Sequence, residues 1–413
     1  MPALISNELF AVTAPGLESI ALGELKRLGL KGKEEIGGVA FRGEAEAVFT
    51  SNLWLRSASR IVKRIARFHA STFHELERRA KQVAWAEFVN ASSAVRVRVT
   101  CRKSRLYHSD AVAERILGVI AKVAGGAGGL ERDERPADAD DEIHDDAIPE
   151  SNAQLFIVRI VDDECEISAD TSGELLHRRG YRQEVGKAPL RETLAAAMLL
   201  ASGWRPAETL IDPLCGSGTI PIEAALLARG VAPGIRRKFA FMNWPTFDHG
   251  LWKRAHAIAE TAAEAKSPGL EIKAADRDGG AIESARRNAE RAGVGGDILF
   301  STAPLSETLE QLSAASRPGW VLTNPPYGVR VGDPEGLRNL YATLGSKVKS
   351  ASGWRVGMLT SDTALARQIG VPMRARFSTT NGGIPVAFLA QEKVSTTATL
   401  LPRRGVKKKT DGR

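Results

Sequence analysis

The chain reads as α/β, with a doubly wound, largely parallel sheet in its C-terminal part behind an α+β region. Three observations predict this. From about residue 185, helical segments alternate with short apolar strands, the pattern of a parallel sheet covered by helices on both faces. The first of those strands ends in a glycine-rich turn, "DPLCGSGT", that runs straight into a helix. And 413 residues exceed what one hydrophobic core organises, so two or three domains are expected.

Taken in order, "LFAVTA" reads as a strand, "GLESIALGELKRLGL" as a helix with Lys26 and Arg27 in its last turn and Gly29 as its stop, and "GGVAFRG" as a second strand. An amphipathic stretch, "EAEAVFTSNLWLRSASRIVKRIARF", is followed by a helix around "FHELERRAKQVAWAEF". "AVRVRVTC" alternates strictly. Val95, Val97 and Val99 share one face, and Arg96 and Arg98 the other, so the strand is expected to offer arginines to solvent or to phosphate. After the helical "DAVAERILGVIAKVAGG", residues 131–150 read as a mobile acidic loop, because the strands "QLFIVRIV" and "ECEISADTS" resume directly. The alternation of helix and strand then runs from "LRETLAAAMLLASG" to "RFSTTNGGIPVAFLA" without an internal repeat.

Net charge is +8, but it is unevenly placed. Segment 131–150 holds ten acidic and two basic side chains, which leaves +16 on the remainder. Residues 56–105 carry thirteen Lys and Arg against three Glu, and 403–413 six against one Asp. Such clustering predicts a polyanion partner, a nucleic acid. Three separated cysteines without a CxxC pair argue against a disulfide framework or a structural zinc site and fit a reducing cytoplasm. No eighteen-residue apolar run predicts a membrane span, the N-terminus lacks a signal-peptide pattern, and the seven histidines lack metal-ligand spacing.

In an open parallel sheet, ligands bind beyond the carboxyl ends of the strands. Gly216 and Gly218 let the backbone turn tightly there, with helix N-terminal amides behind them. The next strand, "LEIKAADRD", stops at Asp276, whose carboxylate is placed to accept both hydroxyls of an adenosine ribose, or simply to cap a helix. Asp276 follows the glycines by some 60 residues where a simple βαβ unit has ~20, and the excess, including "PGIRRKFAFMNWPTFDHGLWKRAHAIAE", reads as an insertion. No GxxxxGK[ST] is present, which argues against a P-loop ATPase.

The fourth strand, "WVLTNPPYGVR", ends at the same edge. An exocyclic amine on a base is a poor nucleophile because its lone pair is delocalised into the ring. Two acceptors gripping its hydrogens return that pair, and the Asn324 amide oxygen and the Pro325 carbonyl are suited to the task. Pro325 and Pro326 stiffen the corner, which is preorganisation. Tyr327 offers a ring face to a base drawn from its stack. An isolated N-P-P-Y would read as a surface turn; its place at a strand end after a glycine loop argues for chemistry.

With these residues assembled, the sequence resembles the THUMP-containing, S-adenosylmethionine-dependent RNA guanine-N2 methyltransferases, and most nearly the bacterial 23S ribosomal RNA enzymes. The likeness is carried by "LFAVTAPGLESIALGEL", "IGGVAFRG", "LWLRSASRI", "LLHRRGYR", "APLRETLAAAMLLASGW", "DPLCGSGTIPIEAALLA", "SARRNAERAGV" and "NPPYGVR". It implies a ferredoxin-like part over 1–50, a THUMP RNA-binding domain over 51–170, a Rossmann-like class I methyltransferase domain over 171–400 and a basic tail over 401–413. It further implies S-adenosylmethionine on Asp212, Cys215, Gly216, Ser217, Gly218, Thr219, Asp276 and Arg277, and the target amine at Asn324, Pro325, Pro326 and Tyr327. Charge and position add Arg96, Arg98, Arg178, Arg179 and Arg182 as RNA contacts. No metal or membrane is implied. Family members carry an Asp just after the third strand, facing the adenine; here Pro304 stands near that position, with no carboxylate until Glu307. A tRNA guanine-N2 methyltransferase, a DNA amino-methyltransferase and a non-catalytic RNA-binding assembly factor are the competing readings.

Overall fold

The computed structural model describes residues 3–123, 129–132, 153–183, 190–264, 269–313, 317–326 and 334–392. The acidic segment beyond Arg132, Tyr327 and the tail 401–413 lie outside the described residues.

The N-terminal half is built on β1 (Ala3–Thr13), α1 (Glu18–Arg27), β2 (Gly32–Glu35), β3 (Gly38–Arg42), α2 (Ala45–Trp54) and β4 (Ala58–His69). It continues through α3 (Phe73–Ala80), β5 (Ala94–Arg102), α4 (Ser109–Val123), β6 (Gly129–Arg132), β7 (Gln154–Val161) and β8 (Glu164–Asp170). Helix α1 stops where the sequence said it would. Gly29 takes φ +77°, and the Leu30 amide turns back to the Leu25 carbonyl at 2.9 Å. The amphipathic stretch after it resolves into α2 and then β4, whose Ile61, Val62 and Ile65 suit a strand. Helix α3 opens with a reciprocal cap. Thr72 Oγ1 accepts from the Glu75 amide at 3.2 Å, and Glu75 Oε2 accepts from the Ser71 amide at 2.9 Å.

These strands form one eight-stranded sheet in the order β2-β3-β1-β4-β8-β7-β5-β6. Strand β4 pairs with β1 on one side and β8 on the other, both antiparallel. The seam expected at residue 50 therefore falls inside α2, and no break in the sheet follows it. The expected solvent face of β5 is also corrected. Val95, Val97 and Val99 enter the core with α4, but Arg98 is only 5% exposed and Arg96 half-buried, and both are engaged by other groups. β5 lies inside the sheet, parallel to β6 and β7, and does not present a free edge.

The C-terminal half comprises α5 (Glu192–Ser202), β9 (Thr209–Asp212), α6 (Thr219–Ala228), α7 (His249–Glu264), β10 (Ile272–Asp276), α8 (Gly279–Ala292), β11 (Ile298–Thr302) and α9 (Leu305–Glu310). It closes with β12 (Gly319–Thr323), α10 (Pro334–Ser350), β13 (Arg355–Thr360), α11 (Thr363–Ala366), β14 (Met373–Asn381) and β15 (Ile384–Gln391). The strand order is β11-β10-β9-β12-β13-β15-β14, parallel except for β15, which runs antiparallel to both neighbours. The order reverses between β9 and β12, so the crevice at their carboxyl ends is the topological switch point. Among the described residues no helix is long and apolar enough to cross a membrane.

The insertion between α6 and β10 ties the halves together. The Gly234 amide donates to Leu53 O at 2.9 Å, Trp244 Nε1 to Gln154 Oε1 at 2.7 Å, and Thr246 Oγ1 to Glu87 O at 3.0 Å. Phe239, Phe241, Phe247 and Trp252 pack around Phe49 of α2, with the Phe49 and Phe241 rings 4.8 Å apart. Replacing Phe241, which is fully buried, by alanine is expected to cost about 3–5 kcal/mol. A urea titration should show the loss in both halves at once; a shift confined to one would mean that the insertion does not couple them.

Candidate active site

The glycine turn is held from three directions. Gly218 takes φ +85° as the N-cap of α6, and a Cβ there would lie 2.9 Å from Cβ of Ala285 on α8, so any larger residue would part loop from helix. Asn288 of α8 donates through Nδ2 to Ser217 O at 3.1 Å. Asp276, at the end of β10, accepts from the Gly216 amide on Oδ2 at 3.0 Å and from the Asp278 amide on Oδ1 at 3.0 Å. Each carboxylate oxygen accepts one of these bonds and retains acceptor capacity for a further donor. The Cys215 amide reaches Ala275 O at 2.9 Å, which fixes the turn against β10.

Asp212 closes β9 at 1% exposure. Burial pushes its carboxyl up to about 7; the charge of Asp276 adds to this, while the Leu214 amide, 3.2 Å from Oδ1, opposes it. Ser217 is half-buried, Thr219 buried and Arg277 exposed.

The strand register brings the corner at 324–326 to the same level. Val321 pairs with Ile211, and Ala274 with Asp212, so Asn324 and Asp276 both come abreast of Leu214. Pro325 is buried and Pro326 exposed. Asn324 Oδ1 is buried and has no hydrogen-bond donor among the described residues. A carboxamide oxygen in that condition costs about 1–3 kcal/mol, a strain that a bound N–H relieves. Tyr327 lies outside the described residues. Pro304 is the exposed N-cap of α9, with Glu307 exposed in the first turn.

The arginines proposed for RNA are redirected. Arg179 is buried against α6, its Nη1 2.5 Å from Glu223 Oε2 and its Nη2 donating to Arg56 O at 2.7 Å. Arg182 pairs with Glu192 at 3.0 Å and donates to Leu190 O. Both are used up inside the fold, because carboxylates buried on α5 and α6 need their charge. Arg178 stays at the surface beside Glu174, 3.9 Å away. Sequence reading missed Glu223, Tyr181 (which donates to Glu223 Oε1 at 3.0 Å) and Asn288. A Glu within the apolar "TIPIEAALLA" was the available signal, since such a charge demands a partner.

The donor set suits an adenosine-bearing ligand: a glycine turn for close approach, a carboxylate with spare acceptor capacity, and an unmet amide oxygen on the same edge. Comparison with known proteins agrees. The family described as "RMKL-like, methyltransferase domain" matches residues 179–387, and the "RlmL ferredoxin-like domain" matches 8–62. "Putative RNA methyltransferase slr0064" of Synechocystis sp. is 34% identical over 93% of this chain and 96% of its own length. "Ribosomal RNA large subunit methyltransferase K/L" of Syntrophotalea carbinolica is 35% identical over 92% of this chain, which spans about half, 53%, of that relative. The solved structure of SMU.472, "a putative methyltransferase complexed with SAH", superposes with a TM-score of 0.79 at 30% identity, covering 94% of this chain and 99% of that one.

Asp212 gives a pH test. Its folded pKa of about 7 lies above the ordinary 3.8, so its contribution to stability is complete below 3.8 and is lost as pH rises through 7. The slope reaches up to about 1.4 kcal/mol per pH unit in between. Asp212→Asn, which keeps the neutral shape, is expected to flatten this decline in urea midpoints between pH 5 and 7.5. An equal decline in both proteins would assign the slope elsewhere.

Proposed function

The chain belongs to the RMKL-like methyltransferase family, and on that premise we propose that it methylates the exocyclic N2 of a guanine in large-subunit, 23S, ribosomal RNA in the cytoplasm. The unmet Asn324 oxygen carries the reading. S-adenosylmethionine, when bound, supplies a methyl group on a positively charged sulfur and is left as SAH, the ligand named for SMU.472.

Asp276 and the turn Asp212–Thr219, with Arg277 at the rim, are the residues to hold that cofactor. Asn324 Oδ1 accepts a hydrogen bond from one N–H of the guanine amine and the Pro325 carbonyl from the other. The nitrogen is drawn toward tetrahedral geometry and recovers its lone pair. Once the methyl group is on the nitrogen, its surplus proton leaves to solvent. Because two prolines fix the carbonyl, little reorganisation is needed when the base arrives. Pro325, buried, helps keep water from the amine. The family resemblance alone gives Tyr327, outside the described residues, the role of stacking face for the base.

The choice of RNA is supported by the names of full-length and half-length relatives and by the +16 carried outside the acidic segment. Transfer of labelled methyl to unmodified 23S RNA and to unmodified tRNA tests it, with N2-methylguanosine expected in the ribosomal RNA. Label in tRNA alone would move the substrate, and label on an adenine would remove the guanine. Asn324→Ala is expected to lower kcat by about 100-fold or more, as loss of a preorganised polar group does; unchanged turnover would end its catalytic role. Asp276→Ala is expected to raise the KM for S-adenosylmethionine about 10-fold or more, the worth of a pair of charge-assisted hydrogen bonds, with a smaller effect on kcat. The reverse split would place Asp276 at the chemistry instead.

A further inference from the structure

With Arg98 buried and Arg179 and Arg182 committed to carboxylates, the basic character of the N-terminal half has to be sought elsewhere on its surface. The turn after β5, "RKSRLYH" over 102–108, is where exposed bases and an exposed aromatic coincide. Tyr107 is 69% exposed. The His108 ring lies behind it, centroids 4.0 Å apart and planes 41° to one another. Lys103 and Arg105 are exposed and form no ion pair among the described residues.

The turn is built to hold that ring out. Lys103 adopts φ +47°, a left-handed conformation uncommon for a residue with a side chain. Ser104 Oγ donates to Arg102 O at 2.8 Å and accepts from the Asp163 amide at 3.0 Å. The Arg105 amide donates to Asp163 Oδ1 at 2.7 Å, and the Asp162 amide to Arg102 O at 3.2 Å. Leu106, 4% exposed, anchors the turn in the core, and His108 O accepts the Val112 amide of α4 at 3.1 Å. The acids closest in the chain and across the adjoining turn are already engaged: Asp163 Oδ1 by the Arg105 amide, Glu164 by His69 at 3.3 Å and Asp110 by Arg132 at 3.0 Å, with Asp162 beside them. A surface tyrosine has little to gain from water. Held rigidly between flexible cations, it presents a flat apolar face at low entropic cost to any ligand with a π-system and negative charge.

We propose that turn 102–108 docks a single-stranded stretch of the RNA substrate, with an unpaired base stacked on Tyr107 and phosphates met by Lys103 and Arg105. The proposal rests on the RNA reading above and adds a site on the N-terminal sheet, whereas the methyl-transfer crevice belongs to the C-terminal one.

The test is fluorescence anisotropy of the full chain with a labelled unstructured uridine dodecamer and with an RNA duplex of equal length, beside methyl transfer to 23S RNA. Tyr107→Ala is expected to weaken the dodecamer about 5- to 150-fold, the range of one base–aromatic stack. Tyr107→Phe should stay within about 2-fold of the parent, since the ring alone stacks. Lys103→Ala with Arg105→Ala is expected to reduce the slope of log K against log salt by about 1.4, two single-strand phosphates. Tyr107→Ala binding like the parent while methyl transfer proceeds would overturn the docking site and leave the function standing. So would equal loss in Tyr107→Phe, or preference for the duplex. Absence of methyl transfer to any RNA by the parent, with dodecamer binding lost in Tyr107→Ala as expected, would overturn the enzymatic reading and leave the site.

Discussion

The carboxylate of Glu223 sits on α6 with no access to water, and the arrangement of the two halves follows from answering it. Burial raises its pKa, while Arg179 and Arg56 pull the other way. Arg179 arrives from the segment that joins the halves, and the same guanidinium holds the Arg56 carbonyl at the end of α2. Arg56 in turn donates to Val231 O at 2.5 Å just beyond α6, while Glu24 of α1 accepts the Arg56 and Ser57 amides at 2.9 and 3.0 Å. Two acids and two arginines drawn from four separate elements are thereby closed off from solvent. Such a group adds little net stability, because desolvation consumes most of the Coulomb gain. What it imposes is register: a sliding of one half over the other would strand a charge at a cost of about 3–5 kcal/mol.

That register matters for chemistry because α6 begins at Gly218, the cap of the cofactor turn. A helix apolar on all sides must be covered on all sides. The sheet takes one side and α5 and α8 take others, with Arg179 and Tyr181 of the joining segment meeting its carboxylate. The turn at its N-terminus is therefore as fixed as the interface. The edge on which Asp276 and Asn324 meet inherits that rigidity.

Most of the C-terminal fold was legible in the sequence, because a parallel sheet buried on both faces writes itself as apolar strands ending in punctuation: "DPLCGSGT" after β9, "AADRD" after β10, "TNPP" after β12. The candidate site was legible for the same reason, its residues lying at strand ends. The arginines were not. Arg96, Arg98, Arg179 and Arg182 look alike in a sequence whether they face solvent or a buried acid, and only the partner decides. Glu192 lies 10 residues from its partner Arg182 and Glu223 lies 44 from Arg179, outside any local pattern. Strand β4 was obscured differently, because its alternation is broken by a bulge between Arg64 and Ala66 and its two neighbours come from opposite ends of the N-terminal half.

The aromatic insertion between α6 and β10 has a consequence for the order of events during synthesis. It carries Phe239, Phe241, Phe247 and Trp252, a sticky set that its own half cannot cover. The surface that does cover it, Phe49 and its surroundings on α2, is translated nearly two hundred residues earlier and needs nothing that follows β8 to complete its sheet. Chains emerge N-terminus first, so the insertion leaves the ribosome to find its seat already made. Reversing the two halves in a permuted gene would expose the same aromatics before any shelter existed, and the native order serves as its own safeguard against aggregation.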